Sequence, residues 1–393
     1  MIALAVAVLL VIVALPVAVP PIAENLIRSK AAEFGLSADP QMSLGYRWRN
    51  GPGIAGSLQV KIKGSPWLVA ADFGASCSEW SASVRMPETA FSESDPVIRE
   101  LLEKHPVAAV SNLTFSGSIA LSARAERTFH TPVPVWSAKL PIRGFSASLT
   151  AKDRSYALAG LSVTPAASGI ADRVSIMPMF LRVKSISAAG FDLSDFHASV
   201  RVSEKSVLVT EASAGFCGGQ VNLYSLFLDP KNLNTGFTLF LDDVNAGEAL
   251  AHINGFTGEA SGRLHGKVKL FLREGGKSVR LNDAFLYSTP GETGKLRLAD
   301  PKPITDNLAF AGFDAAARNN VANALTDLDY SVLRLDLKRG EGTSATLSTA
   351  VRGTATRGKL SVPVDITVNF NGELEQLINT GLGYSNLLKG RQK

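Results

Sequence analysis

The chain has 393 residues with 40 basic and 35 acidic side chains, a net charge of +5 spread along the sequence with no basic block, which argues against nucleic acid as a partner. Hydrophobic residues make up 46%, enough for a large core, and 34 Gly with 19 Pro is an ordinary share, so disorder and collagen are excluded. Two cysteines, Cys77 and Cys217, and five scattered histidines offer no CxxC, HxxxH or HExxH spacing, so neither a metal nor any other cofactor is expected.

In chain order, Met1 to Ala23 carries no charged side chain, and an apolar run of fifteen residues precedes Pro16. Roughly 18 to 20 helical residues cover about 27 to 30 Å, one hydrocarbon core. No Lys or Arg precedes the run, and Pro20-Pro21 stands where a signal peptide would carry small residues. Residues 1–22 are therefore expected to form an uncleaved transmembrane anchor and 23–35 a short juxtamembrane helix ending at Gly35. Arg28 and Lys30 follow the span, too few to fix its orientation. No second stretch of comparable length and apolarity follows, so a single pass is expected.

After the anchor the sequence alternates apolar and polar residues with period two, the signature of strands with one wet face. The clearest cases are Leu58, Val60 and Ile62; Leu333, Leu335 and Leu337; and Val364, Ile366, Val368 and Phe370, each alternating with polar or charged neighbours. Further strands read at Ser43 to Arg49, Gly144 to Ala151, Tyr156 to Thr164, Phe196 to Val202, Ser206 to Ala214, Gly219 to Leu228, Thr235 to Asp242, Gly262 to Arg273 and Thr343 to Gly353. Roughly 16 to 18 strands in all are expected. Helices are few: one from Asp95 to before Pro106, one over Asp314 to Leu325, and one starting near Leu374.

So many one-faced strands must bury their apolar side against a second sheet, a closed barrel, helices or an apolar ligand. Periodicity leaves both a filled sandwich or barrel and an open apolar trough in play. Motifs with chemistry attached do not survive inspection. Gly51-Pro-Gly-Ile-Ala-Gly56 is followed by strand alternation where a dinucleotide site needs a helix, and Gly276-Lys277-Ser278 lacks the first glycine of a phosphate loop. The G-x-S-x-G elbow is absent, no local signal favours any histidine as a base, and no catalytic residue is assigned. Cys77 and Cys217 would be free to pair in an oxidising compartment.

From about Glu211 onward the sequence resembles the YdbH family of AsmA-like, TamB-related envelope proteins. The likeness is carried by Phe216-Cys-Gly-Gly-Gln-Val221, by Phe237-Thr-Leu-Phe-Leu-Asp-Asp-Val244 leading into Gly247-Glu-Ala-Leu-Ala-His-Ile253, and by Gly255-Phe-Thr-Gly-Glu-Ala-Ser-Gly-Arg-Leu-His-Gly-Lys-Val268. Ala324-Leu-Thr-Asp-Leu-Asp-Tyr330 before a strand, and Pro363 to Asn371 running into Glu373-Leu-Glu-Gln-Leu377, follow in the family's order.

The resemblance implies a mainly β protein: a transmembrane helix, then an elongated, twisted, U-shaped antiparallel sheet forming a hydrophobic groove, in two parts over 36–210 and 211–393. It implies a non-enzymatic, single-pass protein of the bacterial inner membrane, its bulk in the periplasm, that carries phospholipid toward the outer membrane. Candidate groove-lining residues are Leu58, Val60 and Ile62; Val221 and Leu223; Phe237, Leu239 and Leu241; Val268, Leu270 and Leu272; Leu333, Leu335 and Leu337; and Val364, Ile366, Val368 and Phe370. Each has an alternative role in ordinary core packing, which would leave a structural or adaptor ectodomain with a closed core. The last strand, Val362 to Asn371, is expected to offer an edge to a β-augmenting partner, an outer-membrane lipoprotein or a second copy, unless a C-terminal helix covers it.

Overall fold

The computed structural model describes residues 19–33, 36–47, 52–76, 79–95, 98–99, 113–128, 133–151, 154–171, 173–188, 191–203, 205–251, 258–273, 275, 278–299, 301, 314–339, 345–357 and 360–372. They contain 22 strands, paired antiparallel throughout, in two compact units, Met1–Val183 and Lys184–Lys393.

The first unit opens with a helix over residues 19–33 and a meander of β1 (Ala38–Arg47), β2 (Gly53–Ile62), β3 (Leu68–Ser76), β4 (Trp80–Ser92) and β5 (Leu113–Arg127), each antiparallel to the next. The outer edge of β1 is not left bare, because Glu24 of the helix accepts the Met42 backbone N–H at 2.8 Å. Beyond β5 the long strands are interrupted by prolines. β6 (Val135–Lys139) and β7 (Ile142–Ala151) lie end to end along β5, separated by Leu140-Pro141. β8 (Arg154–Val163) pairs with β7, and β9 (Ala166–Ile170) with β6, separated by Thr164-Pro165. β10 (Arg173–Ile176) pairs with β9 and ends before Met177-Pro178.

These prolines fall at one level. Ala120 donates its N–H to Pro141 O at 2.9 Å, Leu140 to Pro165 O at 2.9 Å, and Met177 to Ala166 O at 2.8 Å. Pro87 sits at the same level in the β4 bulge between Met86 and Thr89. A proline cannot donate to a ladder. By aligning the missing donors, the sequence concentrates the interruption in one crease across the unit instead of scattering defects.

In the second unit, after β11 (Met179–Ala188), which crosses the boundary in sequence, run β12 (Phe191–Val202), β13 (Val207–Phe216), β14 (Gly219–Leu228), β15 (Thr235–Asn245), β16 (Gly258–Ala260), β17 (Arg263–Arg273), β18 (Ser278–Ser288), β19 (Gly294–Leu298), β20 (Leu328–Arg339), β21 (Ala345–Arg357) and β22 (Leu360–Gly372). Pairing follows β12–β13–β14–β15–β17–β18–β20–β21–β22, with β19 joining β16 to the start of β20. Among the described strands no pairing joins the first strand of either unit to its last, so these strands form an open sheet rather than a closed barrel.

β16 and β17 are separated by Ser261-Gly262, and the gap is filled by Tyr330, only 1% exposed, whose hydroxyl donates to Ser261 O at 2.5 Å. Burial pushes the phenol's pKa up, so it stays a neutral donor. The helix Ala315–Thr326 is capped by Asp314, which accepts the Ala317 N–H at 2.6 Å, and it buries Ala324 and Leu325.

Four differences from the sequence reading have physical causes. There are 22 described strands rather than 16 to 18, because prolines and glycines divide long strands that share one alternation. β1 begins at Ala38 and ends at Arg47, carried back through Pro40, a proline tolerated in an edge strand. The long β4 and β5 escaped notice because Ser, Ala and Gly dilute their hydrophobic contrast. A helical turn does follow Asp95, whose carboxylate accepts from Ser65 Oγ and Trp67 Nε1, but the rest of that expected helix lies outside the described residues. The expected helix near Leu374, Cys77 and residues 1–18 of the expected anchor also lie outside them. Among the described residues no helix is long and apolar enough to cross a membrane.

Candidate functional site

Side chains directly opposite each other on neighbouring strands share a face. In the first unit the registers assemble one such face from Leu58, Val60 and Ile62 of β2, Val69, Ala71 and Phe73 of β3, and Ala82, Val84 and Met86 of β4. It continues through Ile119, Leu121, Ala123 and Ala125 of β5, Trp136 and Ala138 of β6, Leu149 and Ala147 of β7, Leu158 and Leu161 of β8, and Val174 and Ile176 of β10. Phe91, Phe115 and Phe145 meet on it with centroids 6.2 to 6.4 Å apart. The opposite face carries Gln59, Lys61, Asp72, Ser83, Arg85, Ser122, Arg124, Ser137 and Lys139.

No described residue seals this apolar face. Among the described apolar side chains of the unit, only Ala38, Pro40, Met86 and Val183 are fully buried, and the rest remain half-buried or exposed. In a sandwich the inward side chains would be buried by a facing sheet.

The second unit repeats the pattern. Leu239 opposes Val268, Val268 opposes Ala284, Ala284 opposes Leu337, and the β21 and β22 positions Leu347 and Phe370 extend that row. Neighbouring rows are Phe237, Leu270 and Leu281; Val221 and Leu241; Leu335, Thr349 and Val368; and Leu333, Val351 and Ile366. Val364 opposes Gly353, Leu272 opposes Thr235, and Leu223 opposes Ala212.

One end of this face is closed. Leu264, Leu328, Tyr330, Leu333, Val351 and Ala355 form a buried cluster with Ala324 and Leu325 of the helix, and Leu335, Val364 and Ile366 pack against it. Leu333, 4% exposed, is thus a core residue, and so is Leu337, 8% exposed, in a smaller cluster with Leu281 and Ala345. Val221, Leu223, Phe237, Leu239, Leu241, Val268, Leu270 and Leu272 are half-buried. The sequence reading missed the phenylalanine trio and the β3–β5 stretch; the one signal that survives the dilution by small residues is the alternation of Leu113, Phe115, Ile119 and Leu121 in β5.

The other face of the second unit is amphipathic. Arg334 lies 4.8 Å from the Phe285 centroid, and Tyr224 and Phe240 are 4.9 Å apart. There His265 Nδ1 lies 2.8 Å from Asp242 Oδ1, and Nε2 lies 2.9 Å from Thr289 Oγ1. The order resembles a hydrolytic triad, but the Asp243 N–H also donates to Nδ1 at 3.3 Å, and Thr289 does not line the adjoining cleft. The imidazole ties the bulge at Asp242–Asp243 to the turn at Thr289. Cys217 is a free thiol, its pKa pushed up to about 11 by burial and by the Glu248 carboxylate, so it is a poor nucleophile at neutral pH.

A family model described as YdbH-like, intermembrane phospholipid transport protein YdbH, matches residues 104–387. The match begins well upstream of Glu211, where the sequence resemblance starts, and takes in strands of both units. No curated protein and no solved structure matches the chain.

Proposed function

The chain belongs to the YdbH-like family of intermembrane phospholipid transport proteins, and on that footing we propose that its apolar sheet faces are the track along which phospholipid acyl chains travel. The observation that carries this reading is the apolar face of the first unit, which no described residue covers and which runs from β2 to β10 with charged positions only at strand ends, Arg127 of β5 and Arg154 of β8. A lipid drawn from a bilayer exposes its tails at about 0.8 kcal/mol per methylene. An apolar face offers the tails a substitute for hydrocarbon. Because successive strands present similar side chains, no one position forms a deep well, and movement along the face is diffusive.

In this reading the protein supplies solvation rather than chemistry, needs no cofactor and is not an enzyme. Residues 1–22 anchor it in the inner membrane, and its β portion lies in the periplasm as a U-shaped groove directed toward the outer membrane. The final strand β22 pairs with β21 alone among the described strands, which supports a β-augmenting partner there, an outer-membrane lipoprotein or a second copy. The rival reading, a closed adaptor domain, is favoured by the helix-sealed cluster of the second unit, but that cluster occupies one end of one unit. Lipid extraction of the full chain, purified in a sugar detergent and washed extensively, tests the proposal: co-purifying phospholipid is expected, and a lipid-free chain would overturn it.

A further inference from the structure

The arginines clustered at one set of strand ends in the first unit, three on the polar face and Arg127 on the apolar one, are not explained by a track for hydrocarbon. Arg47, Arg85, Arg124 and Arg127 line two adjoining clefts of about 180 and 270 Å³ that share Arg47, Gly74, Ser81 and Arg124. The registers bring them together from positions far apart in sequence. Gly53 opposes both Arg47 and Ser76, Gly74 opposes Ser81, and Ser83 opposes Arg124. The floor is therefore made of glycine and serine, and the guanidinium of Arg47 lies down upon it, its Nη1 3.4 Å from where a Cβ of residue 74 would stand.

The clefts carry four arginines against three acids, Asp72, Glu79 and Glu126, and few of these charges are paired. Of the acids lining the clefts, Glu126 is taken by Arg124 in an ion pair. Arg47, Arg85 and Arg127 make no ion pair or hydrogen bond to any described residue, and the Ser81 and Ser83 hydroxyls are likewise without a protein partner there. Asp72 and Glu79, which also line the clefts, make no ion pair with them. Guanidinium groups gathered in one place repel one another unless an anion joins them. Arg47, Arg85, Arg124 and the serines Ser81 and Ser83 line one of the clefts together, and Arg127 lines the other. That suits a tetrahedral oxyanion, which guanidinium forks bind through paired hydrogen bonds.

We propose that this cluster is a phosphate-binding site. It stands at the strand ends, where Trp80 and Arg127 oppose each other on the apolar face, so a lipid whose tails lie on that face could place its headgroup phosphate there. The lipid source of the phosphate rests on the transport reading above; the oxyanion chemistry does not.

The test uses the full chain in a sugar detergent and phosphate-free buffer, titrated calorimetrically with glycerol 3-phosphate, short-chain phosphatidylglycerol and the matching phosphate-free diacylglycerol. The double variant Arg47→Gln/Arg124→Gln, with its circular dichroism unchanged, is expected to bind phosphatidylglycerol at least tenfold more weakly and diacylglycerol equally well. Arg47→Lys, which keeps the charge without the fork, is expected to lose part of that affinity. A loss confined to glycerol phosphate would keep the site and assign it to a soluble phosphate. Unchanged binding of both phosphates by the double variant, or no phosphate binding by the wild type, would overturn it. If the acyl track fails instead, diacylglycerol binding vanishes while glycerol phosphate binding persists.

Discussion

Replacing Leu239 by Asp is expected to strip co-purifying phospholipid from the chain by at least tenfold without unfolding it. Leu239 is half-buried in β15 on the row that runs through Val268 and Ala284 to Leu337, and these neighbours offer a carboxylate neither a charge nor a hydrogen bond. In the empty protein the carboxylate reaches water, because the face is not enclosed. With acyl chains against it, an unpaired ionised carboxylate costs several kcal/mol, and about 1.4 kcal/mol already makes a tenfold difference. The same charge placed through Lys267→Asp, opposite Phe240 on the other face, is expected to leave the lipid content unchanged. Quantifying phosphorus per mole of protein for both variants checks this; equal loss from either face would contradict the assignment of the face.

Gly294→Ala is expected to destabilise the second unit by about 1–3 kcal/mol. A Cβ there would stand 2.1 Å from Tyr330 Cζ, 2.3 Å from its hydroxyl and 2.5 Å from Ser261 O. The ring cannot step aside, since it is 1% exposed and its neighbours Leu328 and Leu264 are 0% and 2% exposed. Displacing it also breaks the hydroxyl's bond to Ser261 O and leaves a buried polar group without its partner. Gly45→Ala serves as the control, because a Cβ at that position meets nothing within 4 Å. Urea denaturation followed by far-ultraviolet circular dichroism distinguishes them, with a lowered midpoint for the first and an unmoved one for the second.

Much of this architecture is legible in the sequence, and what is hidden has a common cause. Where apolar residues are large and alternate strictly, as in Val268, Leu270 and Leu272 or Leu333, Leu335 and Leu337, strand limits come within a few residues of those read from the pattern. The capped helix after Asp314 is equally plain, because an N-cap and an apolar stripe are local signals. Register is not local. That Leu239, Val268 and Leu337 share one row, and that Leu333 lies beneath a helix, depend on bulges such as those between Leu241 and Val244 and between Tyr330 and Val332. The arginine cluster is hidden for the same reason: Arg47, Arg85 and Arg124 mean little apart, and only pairing across β1 to β5 gathers them. The aligned prolines Pro141, Pro165 and Pro178 read in sequence as strand ends, although in space they are one crease.

The most direct test places a photo-reactive benzoyl-phenylalanine at each position from 237 to 241 along β15 in turn, with irradiation in cells and mass analysis of the purified chain. Phe237, Leu239 and Leu241 belong to the apolar face, while Thr238 and Phe240 oppose Lys269 and Lys267 on the other. Phospholipid adducts at 237, 239 and 241, with none at 238 or 240, are the result expected of an acyl-chain track. Adducts at no position, or equally at all five, would contradict it.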